Sequence, residues 1–258
     1  MTIKDNGNLD IKLADSKDEL IKAFSLTHNT YVQSGYMDPH PSGMRIITYN
    51  ALPSTKVLIV RDNGNVTATI TLIFDSPLGL PSDEIYPEEM DYLRREGRKI
   101  AEGSSFAAQK ISRNKNHVMY LFKKIHTYLQ YAGVDDICIM VHPRHAKFYE
   151  KILLFEPMGG VKYLPNLKNA PAVLERLDLR TWGEKLQKKT CGKLHRDLYT
   201  FFFDNGQGNP DGWLGENSGN GFYMSQEMLH YFFVEQTNIF RRIDENTMSY
   251  IKSCYPDW

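Results

Sequence analysis

Lys99–Ala108, KIAEGSSFAA, reads as a central β-strand with one acid at its middle, Glu102, among small residues that let another chain lie close. Directly behind it, Gln109–Lys124, QKISRNKNHVMYLFKK, holds Lys110, Arg113, Lys115, Lys123 and Lys124 and no acid. A lone carboxylate in a strand that opens onto a basic helix start suggests a place for an anionic, phosphate-bearing ligand beside a proton acceptor. Free N–H groups and the helix dipole favour negative charge there. A solvent-facing glutamate followed by a solvated basic face gives the same pattern, so the neighbouring stretches must decide.

Downstream, Val118, Leu121, Phe122, Ile125, Leu129 and Ala132 recur at helical spacing, and Gly133 supplies a stop. Asp136–Val141, DICIMV, is a short apolar strand, and Pro143 suits the first turn of a further helix to about Leu153. Strand, helix, strand, helix implies a parallel crossover. Val161–Tyr163 and Ala172–Leu179 then complete the sheet as an antiparallel pair.

Upstream, Ile11–Leu13 reads as a first strand, and Ser16 with Glu19 forms a capping box that opens a helix with Leu20, Ile21, Phe24 and Tyr31 on one face. Gln33–Ser54 reads as a long loop or broken helix. Lys56–Arg61 and Val66–Phe74, joined by Asp62-Asn63-Gly64-Asn65, form a hairpin. A loop and a short acidic helix ending at Gly97 lead into the central strand. After Arg180 the spacing predicts a helical stretch to about Phe203, a Gly/Asn-rich segment over Asp204–Gly221, and a final helix from Ser225 to about Cys254. This part is expected to be an extension packed on the core, because Phe201–Phe203 and Tyr231–Val234 need apolar surface to cover. The expected division is residues 1–180 as core and 181–258 as helical extension.

The chain is long enough, at 258 residues, to bury a large core, and its formal net charge is zero, so recognition of an anion must be local and a nucleic-acid partner is not expected. Three cysteines without a CxxC pair fit a reducing compartment. The polar start is unlike a signal peptide and no apolar run reaches the roughly 18 residues of a membrane helix, so a cytoplasmic location is expected. His142 and His145 flank Pro143 without a completing carboxylate, so no metal site is expected.

The element order, with FYEKILLF (148–155) closing the second crossover helix, resembles the GCN5-related N-acetyltransferase superfamily. DSPLGLPSDEIYPEEMDYLRREGRKIAEGSSFAA (75–108), together with HPRHAKFYEKILLFEP (142–157), is similar to the branch of FeeM-type N-acyl-amino-acid synthases and, more distantly, to acyl-homoserine-lactone autoinducer synthases. The resemblance implies an α/β (α+β) fold: a mixed central sheet flanked by helices, with a C-terminal helical extension. Two departures matter. The superfamily's glycine-rich pyrophosphate loop is missing, since Gln109–Asn114 contains no glycine. Autoinducer synthases carry Arg three residues after the strand Glu, where this chain has Ser105.

By that resemblance, an amine attacks a thioester directly, with Glu102 as general base and Tyr149 as the acid that protonates the leaving thiolate. Apolar neighbours would raise the Glu102 pKa. The spacing from Tyr149 to Phe155 is one residue longer than the commonest version. Backbone N–H groups over Phe106, Ala107 and Ala108 would polarise the thioester, and Lys110 and Arg113 would meet the donor's phosphate. A single phosphate on an acyl carrier protein suits this chain better than the pyrophosphate of coenzyme A; no permanently bound cofactor is expected. The acceptor would be an amino acid whose carboxylate needs a cation, with Arg45 and Arg98 as candidates and Arg94 and Arg95 as further ones. The expected function is transfer of a long-chain acyl group to an amino acid. The alternatives are a coenzyme A-dependent N-acetyltransferase on a small amine and a catalytically silent acyl-binding protein.

Overall fold

A computed structural model describes residues 9–110, 112, 116–189, 193–204 and 224–255. Its strands β1 (Leu9–Leu13), β2 (Lys56–Asp62), β3 (Asn65–Phe74), β4 (Ile100–Ala108), β5 (Asp136–Val141), β6 (Glu156–Pro157), β7 (Lys162–Leu164) and β8 (Ala170–Asp178) form one mixed sheet. The order is β1-β2-β3-β4-β5-β8-β6, with β7 also on β8. Only β4 and β5 run parallel among the described pairings, and α3 (His117–Tyr131) makes the crossover between them. The hairpin turns at Asn63 and Gly64, both at positive φ, the two-residue geometry that matches strand twist.

Side chains alternate across the strands and so build two layers. Leu58, Val60, Ile70 and Leu72 face α3, together with Trp182 of α5 (Trp182–Lys188) and Phe201 and Phe202 just beyond α6 (Lys193–Tyr199). On the opposite face Val57 and Ile59 meet Leu20 and Phe24 of α1 (Lys17–Gln33) and Phe232, Phe233 and Ile251. There α2 (Pro87–Arg95) brings Met90 and Leu93 onto Ile73, Ile100, Cys138 and Leu174. The aromatic runs expected to need cover thus have it, on opposite sides of the sheet. Cys138 is fully buried and burial pushes its thiol up, leaving it unreactive.

Ser16 accepts the Glu19 N–H at the start of α1, whereas Glu19 Oε2 accepts the N–H of Asp15 instead of that of Ser16, so half of the expected capping box forms. The single final helix expected from the sequence is instead three: α7 (Gln226–His230, continued by a wide turn over Tyr231–Glu235), α8 (Ile239–Arg242) and α9 (Glu245–Ser253). The breaks fall where side chains compete with the helix for backbone C=O and N–H groups. The Thr237 hydroxyl turns back to the Phe232 carbonyl, and Asp244 accepts the Thr247 N–H at 2.9 Å to start α9 afresh. The stretch after Arg180 likewise divides into α5 and α6. The Gly/Asn-rich segment lies outside the described residues.

Glu175 of β8 is 1% exposed and, among the described residues, neither carboxylate oxygen has a hydrogen-bond partner. Burial, then the nearby Glu150 charge, pushes its pKa up to about 7. The folded chain holds this proton more tightly than the unfolded one, so its contribution to stability declines as pH rises from about 4.5 to about 7. Glu175→Leu is expected to gain about 1–3 kcal/mol at pH 8, with the gap closing near pH 5. Thermal melts at the two pH values check this, and an unchanged or lowered melting temperature at pH 8 contradicts it.

Candidate active site

Glu102 shares the sheet face of Ile100 and is 1% exposed, so the strand acid points inward rather than to solvent. The turn ahead of α2, Pro81–Glu84, delivers the Ser82 N–H to its Oε2 at 2.8 Å. Burial dominates over that hydrogen bond and, with help from the Asp83 charge, lifts its pKa to about 7. Tyr49, from a short turn over Thr48–Ala51, stands on the same cavity wall. Burial and then the Glu102 charge push it up to about 12.

Pairing between β4 and β5 ends at Gly103 and Ile139, although each strand continues. A Cβ on Gly103 would lie 3.2 Å from Ile139 Cγ2, so a side chain at the last paired rung would have to push Ile139 aside by a few tenths of an ångström. Beyond it β4 bulges against β3: Thr71 faces Ser104 but Thr69 faces Ala107, and Ser105 takes φ 54°. Gln109 donates to the Thr67 carbonyl, which by strand alternation turns the Ala107 N–H toward β3 as well. The Phe106 N–H therefore points the other way, to the side that β5 has left.

Arg45 comes from the long loop and reaches this bulge. Its Nη1 donates to Ser105 Oγ at 2.6 Å and its guanidinium lies 4.6 Å from the centre of the Tyr31 ring. It makes no ion pair with a carboxylate among the described residues. Where autoinducer synthases place an arginine on the strand, this chain brings a guanidinium in from sixty residues away.

A cavity of about 1150 Å³ runs through the gap between the strands. On the α2 side its wall is polar, with Arg45, Tyr49, Glu84 and Glu102. On the α3 side it is apolar, with Leu129, Ile137, Leu177, Leu198 and Phe202 among its lining. Tyr149 lines it between the two. It follows α4 (Pro143–Phe148) at the start of a π-turn over Tyr149–Leu153, and that turn absorbs the extra residue between Tyr149 and Phe155. Phe122 and Phe155 hold its ring, and burial pushes the hydroxyl up to about 12.

The structure therefore brings together Glu102, Tyr149, Phe106, Ala107, Ala108 and Arg45, all on one cavity. It does not bring Arg98 there. Its guanidinium donates to Asp136 Oδ1 at 2.9 Å and to Asp178 Oδ1 at 2.8 Å at the opposite end of β5, which corrects its expected place beside an acceptor. Arg94 is similarly bound by Asp75 and Asp83. Lys110 is exposed just past β4 and off the cavity wall, Lys123 stands over the Phe201 ring, and Arg113 lies outside the described residues. His142 caps α4 by accepting the Arg144 N–H. Ser82, the Ser105 bulge and His126 went unnoticed in the sequence; only Pro81, which favours a turn start, hinted at the first. Among the described residues no cluster of three or more His, Cys, Asp or Glu could hold a metal, and no helix is long and apolar enough to cross a membrane.

Comparison with known proteins bears on this arrangement. The model of the N-acyl amino acid synthase FeeM family matches residues 22–178. No curated protein matches the sequence. The solved structure of FeeM, an N-acyl amino acid synthase from uncultured soil microbes, is 28% identical with a TM-score of 0.61, over 68% of this chain and 93% of that one. BjaI, a CoA-dependent acyl-homoserine lactone synthase, shares the fold at 14% identity and a TM-score of 0.54, over 75% of this chain and 88% of that one. With a buried carboxylate set at a gap between diverging strands and a family match over residues 22–178, the chain belongs to the FeeM family of N-acyl amino acid synthases and is an acyltransferase.

Proposed function

We propose that the enzyme transfers a long-chain acyl group from the thioester of an acyl carrier protein to the amine of an amino acid. The observation that carries this reading is the single cavity that joins a polar chamber at Glu102 to an apolar channel under α3. A charged amine acceptor and a fatty acyl chain need those two environments, with the reacting atoms at the strand gap between them.

In this mechanism the acceptor carboxylate pairs with Arg45 while Glu102 removes a proton from the ammonium group. The amine lone pair forms the C–N bond at the thioester carbonyl. The Phe106 N–H, aimed into the gap, stabilises the oxyanion. Collapse breaks the C–S bond, Tyr149 gives its proton to the departing thiolate, and the second proton of the attacking nitrogen restores the Tyr149 phenol as the amide forms, while Glu102 releases the first to solvent. A pKa near 12 keeps Tyr149 protonated across the working range, so no falling alkaline limb below about pH 10 is expected from it. Tyr149→Phe should lower kcat about tenfold or more with the acceptor KM little changed; steady-state kinetics over acceptor concentration reads both.

The lack of glycine in Gln109–Asn114 favours a donor with one phosphate over one with a pyrophosphate. Residues 1–180 form the catalytic core in this reading. The extension over 181–258 walls the channel with Trp182, Leu194, Leu198 and Phe202. The test offers purified protein matched acyl carrier protein and coenzyme A thioesters with an amino acid mixture, and identifies products by mass spectrometry. N-acyl amino acids made at least tenfold faster from the carrier-protein donor are expected. Equal or faster use of the coenzyme A thioester reverses the donor assignment, and no product from either overturns amino-acid acylation.

A further inference from the structure

His126 lines the apolar end of the cavity and is 4% exposed, yet among the described residues neither ring nitrogen has a hydrogen-bond partner. Around it stand Trp182 at 4.9 Å, Phe203 at 4.8 Å and Phe202 at 6.0 Å between ring centres, all steeply inclined to the imidazole. Burial, with the Lys123 charge adding to it, pushes its pKa down to about 4, so the ring is neutral, with one N–H donor and one nitrogen acceptor. The aromatic faces can receive the N–H weakly. Nothing there serves the acceptor nitrogen. The nearest candidate, Trp182 Nε1, already donates to the Leu153 carbonyl at 2.7 Å.

The position along the channel is set by the sheet. The strand gap opens past Ile139, whereas Trp182 follows Leu179, whose N–H bonds the Asp135 carbonyl. From Asp135 to Ile139 is four residues of strand, ~13 Å at 3.3 Å each. A group that meets His126 therefore sits well along the acyl chain, not beside the thioester. An acceptor nitrogen needs an O–H donor, which a keto group lacks.

Resting on the acyl-transfer reading above, we propose that His126 selects acyl chains that carry a hydroxyl in their middle or distal part, accepting the hydrogen bond from that hydroxyl. A plain saturated chain fills the same channel but leaves the nitrogen unsatisfied, and a chain hydroxylated next to the carboxyl places its O–H too early. His126 is thus a specificity residue, distant from the reacting atoms.

The test measures binding of free tetradecanoic acid and its hydroxylated isomers, with the hydroxyl next to the carboxyl, at mid-chain and at the far end, by calorimetry on the full chain. Wild type is expected to bind at least one of the two later isomers about tenfold more tightly than the saturated acid and than the early isomer. His126→Phe should erase that preference, and His126→Gln, which keeps an acceptor, should restore part of it. Equal binding of all four acids by wild type, or a preference that survives His126→Phe, overturns the proposal. Should His126→Phe fail to fold, the wild-type series alone decides. Turnover with the matching thioesters forms a separate arm. Absence of product there strikes the acyl-transfer reading, whereas loss of isomer discrimination with turnover intact strikes only this one.

Discussion

Glu102→Gln should lower kcat by roughly 10²–10⁴-fold and, at pH 8, make the protein harder to unfold. The two effects have one cause. Burial lifts the carboxyl from its usual value near 4.5 to about 7, so ionising it inside the fold is costly. Between those two values the folded chain keeps a proton that the unfolded chain has released. Stability therefore falls as pH rises through that window, and the full penalty, about 3 kcal/mol, stands above it. Glutamine retains an oxygen for the Ser82 N–H and carries no charge. Its gain should raise the melting temperature by roughly 5–10 °C at pH 8 and fade toward pH 4.5. Activity runs the other way, since a base must be ionised: wild-type kcat/KM should climb through about pH 7 and level off, while the residual rate of the variant lacks that limb. Paired pH–rate and pH–melting curves decide the matter. A variant that is less stable at pH 8, or one that keeps the limb, removes Glu102 from the role of base.

The central strand, the crossover and the hairpin were legible because each rests on local periodicity or turn chemistry: Asn63-Gly64 for the turn, the helical spacing from Val118 to Ala132 for α3. Glu102 stood out as the lone acid of its strand and took its role, like Tyr149, from family likeness, and Arg45 showed only as one arginine among several. What stayed hidden depends on contacts between distant segments. No local pattern says that Arg45 will meet Ser105, or that the backbone of Ser82 will hold Glu102. A helical period identifies His126 as one more position near an apolar face, and its isolation appears only when Trp182 and Phe202 close over it. The final helix misled because its apolar residues continue through Thr237 and Asp244, whose side-chain hydrogen bonds end one helix and begin the next.

Arg45 and Arg98 were equal candidates in the sequence, and the structure assigns them opposite expected phenotypes. Arg45 lies on the cavity and is held by a hydroxyl and an aromatic ring, neither of which neutralises it, so its charge remains available to an anion. Arg45→Ala should raise the acceptor KM roughly 10- to 100-fold, the value of one charge-assisted hydrogen bond, with melting temperature near wild type. Arg45→Lys should recover only part of this, since an ammonium cannot form the forked pair with a carboxylate. Arg98 is committed to Asp136, which is fully buried, and to Asp178. Removing it leaves Asp136 with Arg176 alone, at 2.7 Å, and strips Asp178 of its closest cation. Arg98→Ala should therefore lose about 3 kcal/mol of stability, while the folded fraction keeps its acceptor KM. Chemical denaturation and acceptor titrations on both variants separate the two roles. If Arg98→Ala moves the KM and Arg45→Ala moves only stability, the polar chamber has been assigned to the wrong end of β5, and the acceptor enters beside Asp136 instead.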